Sequence, residues 1–265
     1  DVRGKCLGIV GYGHNGTQIG ILAEAIGMQV IYFDIETKLG LGNAKAASSL
    51  GDLLDRADVV TLHVPDTATT ASLIGAPELA RMRAGAHLIN ASRGSVVDLK
   101  ALAESLQAGH LAGAAIDVFP HEPQSNEERF ESPLADLDNV ILTPHVAGST
   151  IEAQTSIGVE VASKLIKYSN NGSTLTAVNF PEVSLPEHRG KHRLLHIHRN
   201  QPGVLARING VLSEFKINVS SEYLETNGPL GYAVIDVDGS DRPLSLAVRK
   251  QLDTVDGTIR TRILY

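Results

Sequence analysis

One short stretch near the start of the chain, Gly8-Ile-Val-Gly-Tyr-Gly-His-Asn-Gly-Thr17, most constrains what it can fold into. Gly11, Gly13 and Gly16 stand in a G-x-G-x-x-G frame, after an apolar run ending at Val10 and before a helix-like run from Thr17 to Ala25. Asp34 closes the next apolar run, 18 residues past Gly16. Strand, glycine turn, helix, strand and acid together make the fingerprint of a dinucleotide-binding unit, which a lone glycine frame does not. Gly11 permits the tight turn, Gly13 lets backbone approach a pyrophosphate, and Gly16 lets the helix pack on the strand. Helix N-terminal amides then face the phosphates. Asp34 accepts hydrogen bonds from ribose hydroxyls and repels a 2′-phosphate, so the expected cofactor is NAD rather than NADP.

Further apolar runs follow at Gln29–Phe33, Val59–Leu62, His87–Asn90, Gly113–Val118 and Val140–Leu142. Helix-like stretches lie between them at Leu50–Ala57, Ala76–Met82 and Leu99–Ala108. Continuous apolar strands alternating with helices predict a Rossmann-type, doubly wound parallel α/β sheet. With 265 residues, of which 43% are hydrophobic, the chain has room for a second domain. The texture changes after Pro144. A long helix is expected from Thr150 to Tyr168, capped by Ser149 or Thr150, with Ile157, Val161, Leu165 and Ile166 at helical spacing. The turn-rich stretch 169–191 reads as a linker. Beyond it, strand, helix, two strands, helix and strand follow in about 75 residues, a ferredoxin-like pattern. Its first helix is expected to start at Pro202. The organisation predicted is an NAD-binding domain over 1–150, a crossing helix and linker over 151–186, and a second domain over 187–265.

Three polar residues sit just past strand ends, where sheets of this kind bind ligands. Arg93 follows Asn-Ala-Ser, Glu122 follows Asp-Val-Phe-Pro-His, and His145 follows Thr-Pro. A hydroxy-acid substrate needs a cation for its carboxylate, a base for its hydroxyl proton, and a carboxylate that fixes the base's tautomer. These three residue types supply that set, although on sequence grounds alone His121 competes with His145.

These motifs, with the later His-Ile-His-Arg-Asn-Gln-Pro-Gly, resemble the D-isomer-specific 2-hydroxyacid dehydrogenases, and within them the members that carry a C-terminal ACT domain. The resemblance covers essentially the whole chain. It implies His145 as acid/base, Glu122 as its partner and Arg93 as the residue binding the substrate carboxylate. It implies cofactor contacts from Gly11, Gly13, His14, Asn15, Gly16, Asp34, Ala91, Ser92, Arg93, Asp117, His145, Val146, Ala147 and Gly148. The reaction implied is NAD-linked oxidation of 3-phosphoglycerate to 3-phosphohydroxypyruvate, which opens L-serine synthesis. L-serine is the implied feedback inhibitor, held by His198, Asn200 and Asn218 between two paired ACT domains of a homo-oligomer, a tetramer at full length. Asn218 is expected to begin the strand near His198. Family members commonly carry an apolar residue where Asn15 stands, and a modest effect on cofactor affinity is expected.

A net charge of -7 argues against nucleic acid or an acidic membrane as partner. A single cysteine, Cys6, permits no internal disulfide and fits a reducing, cytoplasmic setting. No run approaches the roughly 18 apolar residues of a membrane span, and no metal site is expected. The chain begins at Asp1, close to the glycine loop, and the family's substrate domain lies mostly upstream of that point. The chain is therefore expected to be an N-terminally truncated portion that is inactive alone. Two rival readings are another D-2-hydroxyacid dehydrogenase and a non-catalytic chain that binds NAD and serine.

Overall fold

The computed structural model describes residues 1–123, 125, 127–188, 192–238 and 242–265; the end of the turn-rich stretch (189–191) and Gly239, the last residue of one expected strand, lie outside them. Contacts divide the chain into two units, Asp1–Gly148 and Ser149–Tyr265.

The first unit runs β1 (Cys6–Val10), α1 (His14–Ala25), β2 (Gln29–Phe33), β3 (Lys45–Ala46), α2 (Leu50–Arg56), β4 (Val59–Leu62), α3 (Ala76–Arg81), β5 (His87–Asn90), α4 (Leu99–Gln107), β6 (Gly113–Ile116) and β7 (Val140–Leu142). The strands form one sheet in the order β3-β2-β1-β4-β5-β6-β7, every pairing parallel. The order reverses between β1 and β4, which opens a crevice at the carboxyl ends of these strands. Side-chain caps start two of the helices: Ser49 accepts from the amide of Asp52, and Asp98 from those of Lys100 and Ala101. Leu53, Leu54, Leu79 and Leu102 press onto Val60, Leu62 and Leu88 in the larger core. Ile9, Tyr12, Ala23 and Tyr32 form a smaller one beneath α1. Beside α1 the sheet carries an apolar hollow of about 950 Å³, lined among others by Leu22, Val59, Ile89 and Ile141.

The second unit opens with α5 (Ile151–Asn171), started by Thr150, whose hydroxyl accepts from the Ala153 amide, and ended by Gly172 in the left-handed region at φ 81°. Then come β8 (His192–Arg199), α6 (Val204–Glu214), β9 (Val219–Asn227), β10 (Leu230–Val237), α7 (Arg242–Leu252) and β11 (Thr258–Leu264). They make an antiparallel sheet ordered β11-β8-β10-β9. Leu194 faces the two helices with Ile208 and Val248, while Leu195 faces the opposite side with Tyr232. This alternation is the period of two along β8.

Two sequence expectations need correction. The stretch read as a linker packs on the second sheet: Val183 and Leu185 are buried beside Leu195 and Tyr232, and Thr174 is hydrogen-bonded to Val183 and Pro181. Turn formers set its backbone, but two apolar side chains fix its position. Helix α6 starts at Val204, not Pro202, because Gly203 stands before it at φ 84°, outside helical space. The two-residue edge strand β3 had no sequence signal. Among the described residues no helix is long and apolar enough to cross a membrane.

Candidate functional site

In the glycine loop the three glycines meet three different constraints. Gly11 takes φ 90°, and a Cβ there would crowd the His63 carbonyl, 2.8 Å from its carbon. Gly16 lies on the Gly11 carbonyl and within 3.1 Å of Ile9 Cγ2, counted from where a Cβ would be. At Gly13 a Cβ would meet nothing within 4 Å. Gly13 also caps α1 without a side chain to satisfy the first amides. An open approach to unsatisfied helix amides suits a pyrophosphate. His14 and Asn15 are exposed in the first turn. Asp34, at the end of β2, accepts from the amides of Tyr12 (2.8 Å) and Glu36 (2.9 Å), which fixes its carboxylate beside the loop.

At the carboxyl end of β6 and β7, His145 Nδ1 lies 2.9 Å from both oxygens of Glu122. Glu122 also accepts from the Phe119 amide at 3.0 Å. Burial opposes ionisation of this carboxyl, but the hydrogen bonds from His145 and Phe119 and the charge of His145 outweigh it, so its pKa lies below the ordinary glutamate value. His145 stands at φ 52°, a conformation that is costly for a non-glycine residue. Asp117 supports it, its Oδ1 accepting from the His145 amide (3.1 Å) and from the Thr143 hydroxyl (2.5 Å). The pair borders a cleft of about 570 Å³ with Phe119, Phe130, Leu142 and Val146. Both side chains keep access to it, at 41% exposure for His145 and 34% for Glu122. His121 is exposed, and the carboxylate of its neighbour is given to His145.

Arg93 is exposed at the start of a 3-10 turn (Gly94–Val96), its Nη1 donating to the Ser92 carbonyl at 2.6 Å. Gly94 presses against the Phe119–Pro120 backbone with no room for a Cβ, so the loops bearing Arg93 and Glu122 are in contact. Asn90, fully buried at the end of β5, accepts from the Ser92 amide and hydroxyl and donates to the Arg93 carbonyl. It shapes the Ala91–Arg93 loop and was missed in the sequence, as was Thr143. The available signal was a polar residue closing an otherwise apolar strand. Ala91, Val146, Ala147 and Gly148 are exposed around these loops.

In the second unit His198 is buried, its Nδ1 bonded to the Arg199 carbonyl at 2.9 Å. Among the described residues its Nε2 is buried and has no hydrogen-bond partner. Asn200 donates to the Gly228 carbonyl (3.1 Å) and Asn218 to Asp238 (3.0 Å). Asn218 is not near His198, and that expectation is overturned. Gly231 of β10 pairs with His198, whereas Val237, six residues on, pairs with Val219 next to Asn218. At about 3.3 Å per residue, His198 and Asn218 of one chain lie about 20 Å apart along the sheet.

A family model described as D-isomer specific 2-hydroxyacid dehydrogenase, NAD binding domain, matches residues 1–147. A second, the AHAS small subunit-like ACT domain, matches residues 194–260. The chain is 56% identical over 265 residues to D-3-phosphoglycerate dehydrogenase of Escherichia coli (strain K12), and 48% identical to the protein of that name from Dictyostelium discoideum. In each case all of this chain matches 64% of the relative, so it spans less than two thirds of their length. Among solved structures, a D-isomer specific 2-hydroxyacid dehydrogenase from Lactobacillus delbrueckii ssp. bulgaricus, in an NAD-complexed form, aligns with TM-score 0.58 at 29% identity, over 66% of this chain and 56% of the other.

Proposed function

Since the chain belongs to the D-isomer specific 2-hydroxyacid dehydrogenase family, we propose that it carries the cofactor and proton-handling half of an NAD-dependent oxidation of 3-phospho-D-glycerate to 3-phosphohydroxypyruvate, the first step of L-serine synthesis. The observation that carries this reading is the His145–Glu122 pair, set at the strand ends of a sheet that also bears the glycine loop. NAD, when bound, supplies the two-electron acceptor. Gly11, Gly13 and Gly16 would leave room for its pyrophosphate, with the His14 and Asn15 amides directed at it and Asp34 at its ribose. Ala91, Ser92, Asp117 and Val146 to Gly148 would line its other end.

The chain's own chemistry is proton transfer and orientation. With Nδ1 engaged by Glu122, His145 presents Nε2 as the base for the C2 hydroxyl proton. The ionised Glu122 stabilises the imidazolium formed by that transfer. Arg93, free to swing from the Ser92 carbonyl, would take the substrate carboxylate as a bidentate partner.

The second unit is the proposed regulatory part, binding L-serine through His198 and Asn200 of one copy and Asn218 of another. The 20 Å between these residues in one chain supports a site made by two ACT domains, and hence a homo-oligomer. The tetramer is the assembly we propose for the full-length form. Serine would act by favouring one arrangement of paired subunits.

The test is turnover by the polypeptide extended to the length of its relatives. NAD reduction is expected with 3-phosphoglycerate and not with D-lactate, and millimolar serine should slow it. Binding of NAD and serine without turnover would leave the non-catalytic reading standing.

A further inference from the structure

We propose that Gly231 is the positioning residue of the effector site: by having no side chain, it leaves the space the His198 ring occupies and so keeps the unpartnered Nε2 in place for the effector. The inference rests on the serine reading above and deepens it.

Gly231 sits directly across the β8–β10 ladder from His198, and paired residues point to the same face of a sheet. The N–C–N edge of the imidazole lies over the glycine. A Cβ at 231 would stand 2.6 Å from His198 Nε2 and 2.8 Å from Nδ1, and closer still to Cε1. These are less than any real carbon contact, so the ring would have to leave. The glycine is required for space and not for backbone freedom, since it is absent from the positive-φ glycines of the chain.

The His198 ring is enclosed, with Thr258 of β11 opposite it on the other side of β8. Its Nδ1 is tied to the Arg199 carbonyl of its own strand. Behind it stands His196, ring centroid 5.7 Å away, itself fixed by Thr261 (3.1 Å) and Thr258 (3.2 Å). Displacement by a methyl group therefore breaks the Nδ1 bond or drives His198 toward His196. The chemistry of the ligand follows from the same geometry. With Nδ1 donating to a carbonyl, the neutral form of an imidazole carries its lone pair on Nε2, which is the buried atom without a partner among the described residues. It suits a ligand that donates at that point, through an ammonium or a hydroxyl, and serine has both. An amino acid lacking the hydroxyl, such as alanine, tests which of the two is used.

The experiment is calorimetric titration of the chain with L-serine, for the unmodified protein, Gly231→Ala, His198→Ala and the double variant, alongside thermal unfolding of each. Gly231→Ala should weaken serine binding at least tenfold, His198→Ala similarly, and the double variant no more than His198→Ala alone. Gly231→Ala should lower the melting temperature when His198 is present and not when it is alanine, because the methyl group then fills vacated space. A Gly231→Ala chain that fails to fold, but is restored by His198→Ala, gives the same answer. Serine binding by Gly231→Ala as tight as by the unmodified chain would overturn the proposal, as would losses that multiply in the double variant. No binding by the unmodified chain defeats the effector reading itself, and shows before any variant is made.

Discussion

His145 and Glu122 are joined at 2.9 Å through Nδ1, while the histidine backbone is held at φ 52°. A strained residue persists only where its surroundings over-determine it. Here the carboxylate of Glu122 grips the ring and that of Asp117 grips the amide. In the extended polypeptide, His145→Ala should lower kcat by roughly 10²–10⁴, the usual share of acid–base catalysis, with little change in NAD affinity. Glu122→Gln should move the limb of the pH–rate profile that reports the base to lower pH, because the charge favouring imidazolium is gone. The Glu122 carboxyl titrates below its ordinary range. Its pairing is therefore complete above the unfolded-state value and is lost only as pH falls through the depressed one. If His121→Ala cripples turnover and His145→Ala does not, the wrong histidine has been chosen.

Thr143 tests the second grip. Thr143→Val keeps the shape and removes the hydroxyl that donates to Asp117. A lost hydrogen bond to a charged group is worth about 1.5–3 kcal/mol where it is well formed. Because this one is exposed, the lower end applies, and kcat should fall about tenfold with the NAD dissociation constant unchanged. Equal losses in both would assign Thr143 to cofactor binding.

Asp34 accepts from the amides of Tyr12 and Glu36, so its replacement removes a charge and also releases the Tyr12 amide between Gly11 and Gly13. Asp34→Ala should narrow the preference for NAD over NADP by about 10- to 100-fold, the worth of a charge-assisted hydrogen bond. Fluorescence titration with both cofactors measures it. Equal affinities in the unmodified chain would contradict the assignment.

His196 makes the second unit acid-sensitive. Burial, reinforced by His198 and opposed by Asp253, lowers its pKa to about 4. The unfolded chain then binds the extra proton first as pH falls. Stability is full above about 6.5, the ordinary histidine value, and is lost progressively from there down to about 4. The ceiling is roughly 3 kcal/mol for a shift of this size. Urea unfolding at pH 7.5 and 4.5 should show the loss, and His196→Gln should reduce it.

Arg193 and Asp236 form a buried pair, with Arg193 fully enclosed and bidentate on the carboxylate at 2.5 and 2.7 Å. Arg193→Ala leaves a buried carboxylate without its partner and should cost about 3–5 kcal/mol. Replacing both partners by apolar residues, Arg193→Met with Asp236→Leu, should recover most of it. Denaturant titration distinguishes the two cases. If the single substitution is silent, the pair does not hold the sheet.

Much of this was legible in the sequence, for identifiable reasons. The bounds of β2, β4, β5 and β7 coincide with continuous apolar runs, which need no partner to be recognised. Glu122, Arg93 and His145 stood out as candidates because each follows such a run. Val183 and Leu185 were not, because two apolar residues among turn formers acquire meaning only from the sheet they cover. The placement of Asn218 failed for a topological reason: β8 and β9 both run antiparallel to β10 and so point the same way, which puts the end of one strand and the start of the other at opposite ends of the sheet. Asn90 and Thr143 stand beside the residues that carry the chemistry, and their own roles come from hydrogen bonds to loops that fold around them.

Arg193 does more than neutralise Asp236. Its Nη1 also donates to the carbonyls of Asn171 (2.9 Å) and Pro186 (2.8 Å), and the Tyr232 hydroxyl donates to Gly172 (2.8 Å). The last turn of α5 is thus riveted to the second sheet. Its 21 residues extend about 31 Å from that rivet, at about 1.5 Å per residue. Mechanically this is a lever arm within the second unit, with one end clamped in the sheet. A tilt of about 5° at the clamp sweeps the far end of the helix through almost 3 Å, at about 1.5 Å of rise per residue.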